Sequence, residues 1–162
     1  MLPDPARDYL INNLDNIPAT VSALLSGLQG NDPAWDVRPD PERFSLREII
    51  AHLADWDDVW RERFERTTNE DLPLLLRPDA GQRAQEQGYA EAEPRECLAH
   101  FRERRAALTG WLRSLPEDAW TCLARLDRMG DIPVAGLAVL ALGHDSYHLR
   151  QAAEWLAAVP HR

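Results

Sequence analysis

The sequence predicts an all-α protein, a four-helix bundle with a long crossover between its second and third helices. Three observations point there. Four segments repeat apolar residues at three- and four-residue spacing, and no segment alternates in the manner of a strand. Between the second and third of these segments, Thr68 to Glu93 carries Pro73, Pro78, Gly81 and Gly88 with weak periodicity. A connection of that length is too long for a tight helical hairpin, so it reads as a crossover along the bundle with room for a short helix inside.

The first helix starts at Asp4-Pro5, an N-cap followed by a proline whose missing N–H costs nothing there. Leu10, Leu14, Ile17, Val21, Leu24 or Leu25, and Leu28 form one apolar face that ends near Gly30. Pro18 removes a backbone bond from its middle and is expected to kink it. Ser45 and Glu48 form a capping box for the second helix, with Phe44 positioned to staple onto Ile49. Its stripe runs through Leu53, Trp56, Trp60 and Phe64, and His52 falls among these residues, facing inward. The third helix follows Pro94 and carries Cys97, Leu98, Phe101, Arg105, Leu108, Leu112 and Leu115 on one side, with Pro116 closing it. A loop then reaches Asp131, and Pro133 opens the fourth helix, which continues to about Val159.

The 162 residues suit one domain spanning 1–162, long enough to bury a sizeable core. With 44% hydrophobic and 28% charged residues, the chain is too apolar for disorder. Its longest uncharged apolar run, Val134 to Gly143, is far short of the roughly 18 residues that cross a bilayer. The N-terminus shows neither a basic nor an apolar signal region, so the expected location is cytoplasmic. Net charge is −9, all 18 basic residues are Arg, and no Arg stripe with interleaved aromatics occurs, which argues against nucleic acid as a partner. Cys97 and Cys122 show no metal-binding or disulfide spacing and read as small hydrophobes.

Chemistry concentrates in the histidines. His144 and His148 are spaced i, i+4, so both rings leave one helix face about a turn apart and can converge on one ion. Five histidines in such a chain give that spacing by chance roughly once in eight sequences, so the pair alone is weak. His52, inward on another helix, strengthens it, because three buried imidazoles without a partner would desolvate many polar atoms. A divalent ion would satisfy all three. Imidazole accepts zinc, nickel, copper or iron; zinc is favoured on prevalence, with nickel next. Asp55, Asp145 and Gln151 are placed to orient the rings from behind. His100 lies off its helix's apolar stripe and His161 near the C-terminus, so both are expected in solvent. No carboxylate on the apolar faces stands out as a general base, and the catalytic residues are not assigned from sequence.

Two stretches resemble a known family. Trp35-Asp36-Val37-Arg38-Pro39 followed by Phe44-Ser45-Leu46-Arg47-Glu48-Ile49-Ile50-Ala51-His52-Leu53-Ala54-Asp55-Trp56 is similar to the second-helix signature of the DinB-like (YfiT-like) metalloproteins. Gly143-His144-Asp145-Ser146-Tyr147-His148-Leu149-Arg150-Gln151 is similar to their fourth-helix signature, and with the helix pattern the resemblance covers nearly the whole chain. It implies a four-helix bundle whose first helix pairs with the second, and one metal held by His52, His144 and His148. It further implies a metal-dependent hydrolase, or a transferase joining a low-molecular-weight thiol to an electrophile, acting on a small molecule, often as a homodimer and linked by name to a stress response. The alternative kept open is a non-catalytic bundle that a metal stabilises, or that sequesters a small molecule.

Overall fold

The computed structural model describes residues 3–158. Four long helices carry the fold: α1 (Asp4–Leu24), α2 (Leu46–Asn69), α4 (Pro94–Ser114) and α5 (Val134–Ala158), with a short α3 (Ala80–Glu86) in the crossover. The expected continuation to Val159, and His161, lie outside the described residues.

The local signals set most helix ends. Ser45 Oγ accepts from Glu48 N–H while the Glu48 carboxylate accepts from Ser45 N–H, completing the capping box of α2. Glu93 caps α4 by accepting from Glu96 N–H, and Pro94 occupies its first turn. Two ends differ from expectation. Pro3, not Asp4, is the N-cap of α1, and Asp4 and Pro5 lie in its first turn. The helix also stops at Leu24, before the Ser26-Gly27 pair, where the Ser26 hydroxyl donates to Ala23 O and competes with the helical pattern.

The helices form a ring in the order α1–α4–α2–α5, each packing on its two ring neighbours. So α1 and α2 sit across a diagonal rather than pairing as expected. Residues 25–45 between them, including a one-turn 3-10 helix at Pro33–Asp36, are long enough to cross the end of the bundle. Side-chain pairing fixes the directions. Arg105 meets Asp57 and Arg104 meets Asp58, while Leu108 and Leu112 share a cluster with Phe64, so α2 and α4 run parallel. Parallel neighbours need a connection that returns the full length of the bundle. That explains the long crossover.

A small sheet, absent from the sequence expectation, covers one end. β1 (Leu74–Leu75) pairs parallel with β2 (Leu123–Leu126), and β2 pairs antiparallel with β3 (Gly130–Pro133). In β2 only Ala124 and Leu126 are buried, an alternation too short to register as a period. Gly130 takes φ 80° in the β2–β3 hairpin, a left-handed conformation that favours glycine.

The core has two apolar clusters. One joins Leu10, Leu14, Trp60, Phe64, Leu108, Leu112, Leu137 and Ala141 beneath the sheet. The other joins Ile17, Val21, Ile49, Ile50, Leu53, Phe101, Ala152 and Trp155 at the opposite end. Between the clusters, the long helices turn polar side chains inward: Asp57 on α2, Arg105 on α4, Asp145 on α5. α1 contributes a backbone group. Pro18 lacks the N–H that would bond Leu14 O, and Arg105 Nη1 donates to that carbonyl at 2.8 Å.

Candidate metal centre

His52 lies on the inward face of α2, and His144 and His148 lie one turn apart on α5. Ring packing of α2 on α5 brings the three together, with one ligand-capable atom from each within 4.8 Å of the others. His52 Nε2 is 2.9 Å from His144 Nε2. His52 and His148 are buried, while His144 is partly open to solvent, so the site has one accessible side. His100 is exposed on α4 and takes no part.

Hydrogen bonds assign the ring nitrogens. Gln151 Nε2–H donates to Phe44 O at 3.0 Å, which fixes the amide and leaves Oε1 facing His148 Nδ1 at 3.2 Å. A carbonyl oxygen can only accept, so His148 carries its proton on Nδ1. His144 Nδ1 lies 3.1 Å from Asp145 Oδ1 and likewise donates to the carboxylate. The free lone pairs of both rings are therefore on Nε2, and both rings have a hydrogen-bond partner behind them. His52 differs, because its Nδ1 is buried with no partner among the described residues.

Burial holds His52 and His148 neutral. It pushes the His52 imidazole down to about 2, helped by His148, His144 and the Arg83 charge, and pushes His148 down to about 4, helped by His144. Neutral imidazoles with convergent lone pairs are the form that ligates a metal. The donor set could hold one divalent ion.

Aromatic rings wall the cluster. Trp56 stacks on His144 with centroids 5.6 Å apart and Trp60 meets the same ring edge-on. Phe44 lies against His52 at 5.1 Å and near His148 at 6.4 Å, and Tyr89 packs beside Phe44 and His52. Tyr147 stands edge-on to His148 and is 43% exposed.

Asp145 and Gln151 thus stand behind two of the rings. Asp55 makes no hydrogen bond to a histidine among the described residues. Its carboxylate accepts from both Arg83, at Nη2 with 2.8 Å and also at Nε, and the Tyr89 hydroxyl. Asp55 therefore ties the crossover down beside His52. Glu48 is also engaged elsewhere, by Ser45 N–H and by Arg38 at 2.6 Å.

Sequence reading missed Arg83, Tyr89, Asp57 and the role of Arg105. The first two come from a weakly periodic segment with no local signal. Arg105 did leave one: a guanidinium in an apolar stripe, 1% exposed in the structure, has to be paired inside the core.

Comparison with known proteins agrees with this architecture. YfiT from Bacillus subtilis, described as a probable metal-dependent hydrolase with an unusual four-helix bundle topology, shares the fold at TM-score 0.86 and 20% identity. The match covers 96% of this chain and 88% of that one. No curated protein matches the chain in sequence. The sequence profile of the DinB superfamily matches residues 13–152, most of the bundle and all three clustered histidines, and the chain belongs to that superfamily.

Proposed function

We propose that this chain is a metal-dependent enzyme acting on a small molecule, with His52, His144 and His148 holding one divalent ion. The observation that carries the proposal is the convergence of three imidazoles whose cluster includes no fourth acidic, thiol or imidazole group among the described residues. Three protein ligands with an open position are the pattern of catalytic sites, whereas structural sites close with a fourth. Glu48 and Asp55, the carboxylates about one helical turn either side of His52 on α2, are held by other partners.

A divalent ion bound there would supply Lewis acidity, acidifying a water or a thiol that reached it. The chain's own residues supply position and environment. Asp145 and Gln151 hold two rings with Nε2 forward, and Trp56, Trp60 and Phe44 exclude bulk water from the buried side. Asp145 is occupied by His144 and Arg105, and Asp55 by Arg83 and Tyr89, so neither carboxylate is free to act as a general base. A thiol nucleophile, which needs no separate base once its proton is acidic, suits such a site as a low-molecular-weight-thiol transferase; a hydrolase is the second form of the same proposal.

Zinc is the preferred ion and nickel the next, since imidazole serves either. No described helix is long and apolar enough to cross a membrane, and with a net charge of −9 the substrate is taken as a small molecule rather than a nucleic acid. The homodimer that the resemblance implies belongs to the same proposal, and sedimentation checks it.

Elemental analysis of the native protein tests the site: about one equivalent of a transition metal is expected. His148→Ala should abolish it and His100→Ala should leave it intact. Unchanged metal content in the His148 variant would sink the assignment. Turnover of ester or amide panels against thiol-plus-electrophile pairs then separates hydrolase from transferase.

A further inference from the structure

We infer that Arg105 is a positioning residue for the site: through Asp145 it fixes which nitrogen of His144 faces the cluster. The inference rests on the three-histidine reading above and names what holds one of its ligands.

Arg105 is 1% exposed and uses its whole guanidinium. Nε and Nη2 grip the Asp57 carboxylate of α2, with Nη2 2.7 Å from Oδ1. On the other edge, Nη1 donates to Leu14 O of α1 at 2.8 Å and lies 2.7 Å from Asp145 Oδ2 of α5, a contact carried by charge more than by hydrogen-bond alignment. The other oxygen of Asp145 faces His144 Nδ1 at 3.1 Å. One planar cation therefore spans α1, α2 and α5 from its seat on α4, and the carboxylate it orients is the one behind the ligand.

Two features of the sequence make that arrangement available. Pro18 strips Leu14 O of its helical donor, so α1 offers a buried acceptor that Arg105 satisfies. Asp57 immobilises the guanidinium from the side away from Asp145. A lysine could not substitute, because one ammonium lacks the fixed fork that serves three partners in different directions. Held in place, Asp145 can only accept, so His144 keeps its proton on Nδ1 and its lone pair on Nε2. Without Arg105 the carboxylate has no fixed direction, and the ring is free to populate both tautomers.

The test reads the tautomer directly. In the full-length chain, 15N-labelled, stripped of metal and held at pH 8, long-range 1H–15N correlation shows which nitrogen of each histidine is protonated. Wild type should show Nδ1–H at both His144 and His148. In Arg105→Met, His144 should become a mixture while His148, held by Gln151, stays unchanged; titrated zinc should bind about 10- to 100-fold more weakly. Arg105→Lys should not rescue either readout, and it serves as the second variant if Arg105→Met does not fold. A folded Arg105 variant that keeps His144 wholly Nδ1–H overturns the inference. Because the tautomer is read without metal, a wild-type protein that binds no zinc would defeat the metal proposal and leave this result to stand or fall separately.

Discussion

Two buried polar groups lie side by side in the middle of this bundle, and they are completed differently. The Arg105 group closes on itself: its guanidinium meets Asp57, Asp145 and Leu14 O, so two carboxylates share one cation inside the core. The histidine group does not. Its three rings converge on one another through nitrogens with no cation or carboxylate inside the cluster, and burial keeps His52 and His148 neutral. The first group, held by ion pairs from helix to helix, reads as scaffold; the second, three converging nitrogens with no group among the described residues to close them, reads as a place where something else binds. Asp145 touches both and couples them.

Breaking the closed group should have the largest effect. Arg105→Ala leaves two buried carboxylates facing each other without their cation, and should cost about 3–5 kcal/mol in urea unfolding of the metal-free protein. Exchanging all three charges for apolar residues (Asp57→Leu, Arg105→Met, Asp145→Leu) should recover much of that loss, because the desolvation penalty disappears along with the pairing. It should not recover zinc affinity. A triple variant that bound zinc as wild type does would show the two groups to be independent.

The open group should behave in the opposite way. His52→Leu removes a neutral ring that has no partner at Nδ1, so metal-free stability should change by less than about 1.5 kcal/mol while zinc binding is lost. The variant also isolates a pH effect. His52 is depressed by burial to about 2, so the native ring stays neutral where the unfolded one, near 6.5, takes up a proton. Stability from this group is intact above about pH 6.5 and falls as pH drops below it. Between pH 7.5 and 5.5 the metal-free wild type should lose about 1 kcal/mol more than His52→Leu. Burial raises Asp57 to about 7, against the pull of Arg105, and this has the reverse sign. It is common to both proteins, so the difference between them still reports His52. Equal losses would mean that His52 is not held neutral by the fold.

The smallest effect is expected at His100→Ala. It lies on the exposed face of α4, so metal content should be unchanged and stability should stay within about 0.5 kcal/mol of wild type.

The same contrast explains what was legible in the sequence. The three histidines could be found because helical spacing is local: i, i+4 on α5 and an inward position on α2 depend on residues a turn apart. Asp145 and Gln151 were within reach for the same reason, each within three residues of a clustered histidine. Helix starts at Ser45 and Pro94 were legible because caps are local chemistry too. Asp57, Arg105 and Leu14 O are brought together from three helices, and no spacing within one segment encodes that meeting. Ring order was equally hidden, since residues 25–45 could have closed a hairpin or crossed the bundle. Asp55 shows the limit from the other side. It sits one turn beyond His52, well placed for that ring, yet Arg83 and Tyr89 of the crossover claim it. The β2 alternation of buried Ala124 and Leu126 spans too few residues to stand out.

In the proposed site these three imidazoles, and no fourth side chain, hold one ion. Anomalous diffraction from crystals of the native protein tests it most directly. One peak is expected, about 2.0–2.2 Å from a nitrogen of each of His52, His144 and His148, with the remaining coordination supplied by solvent or substrate on the His144 side. A peak elsewhere, or a carboxylate such as Asp55 swung in as a fourth ligand, would contradict it.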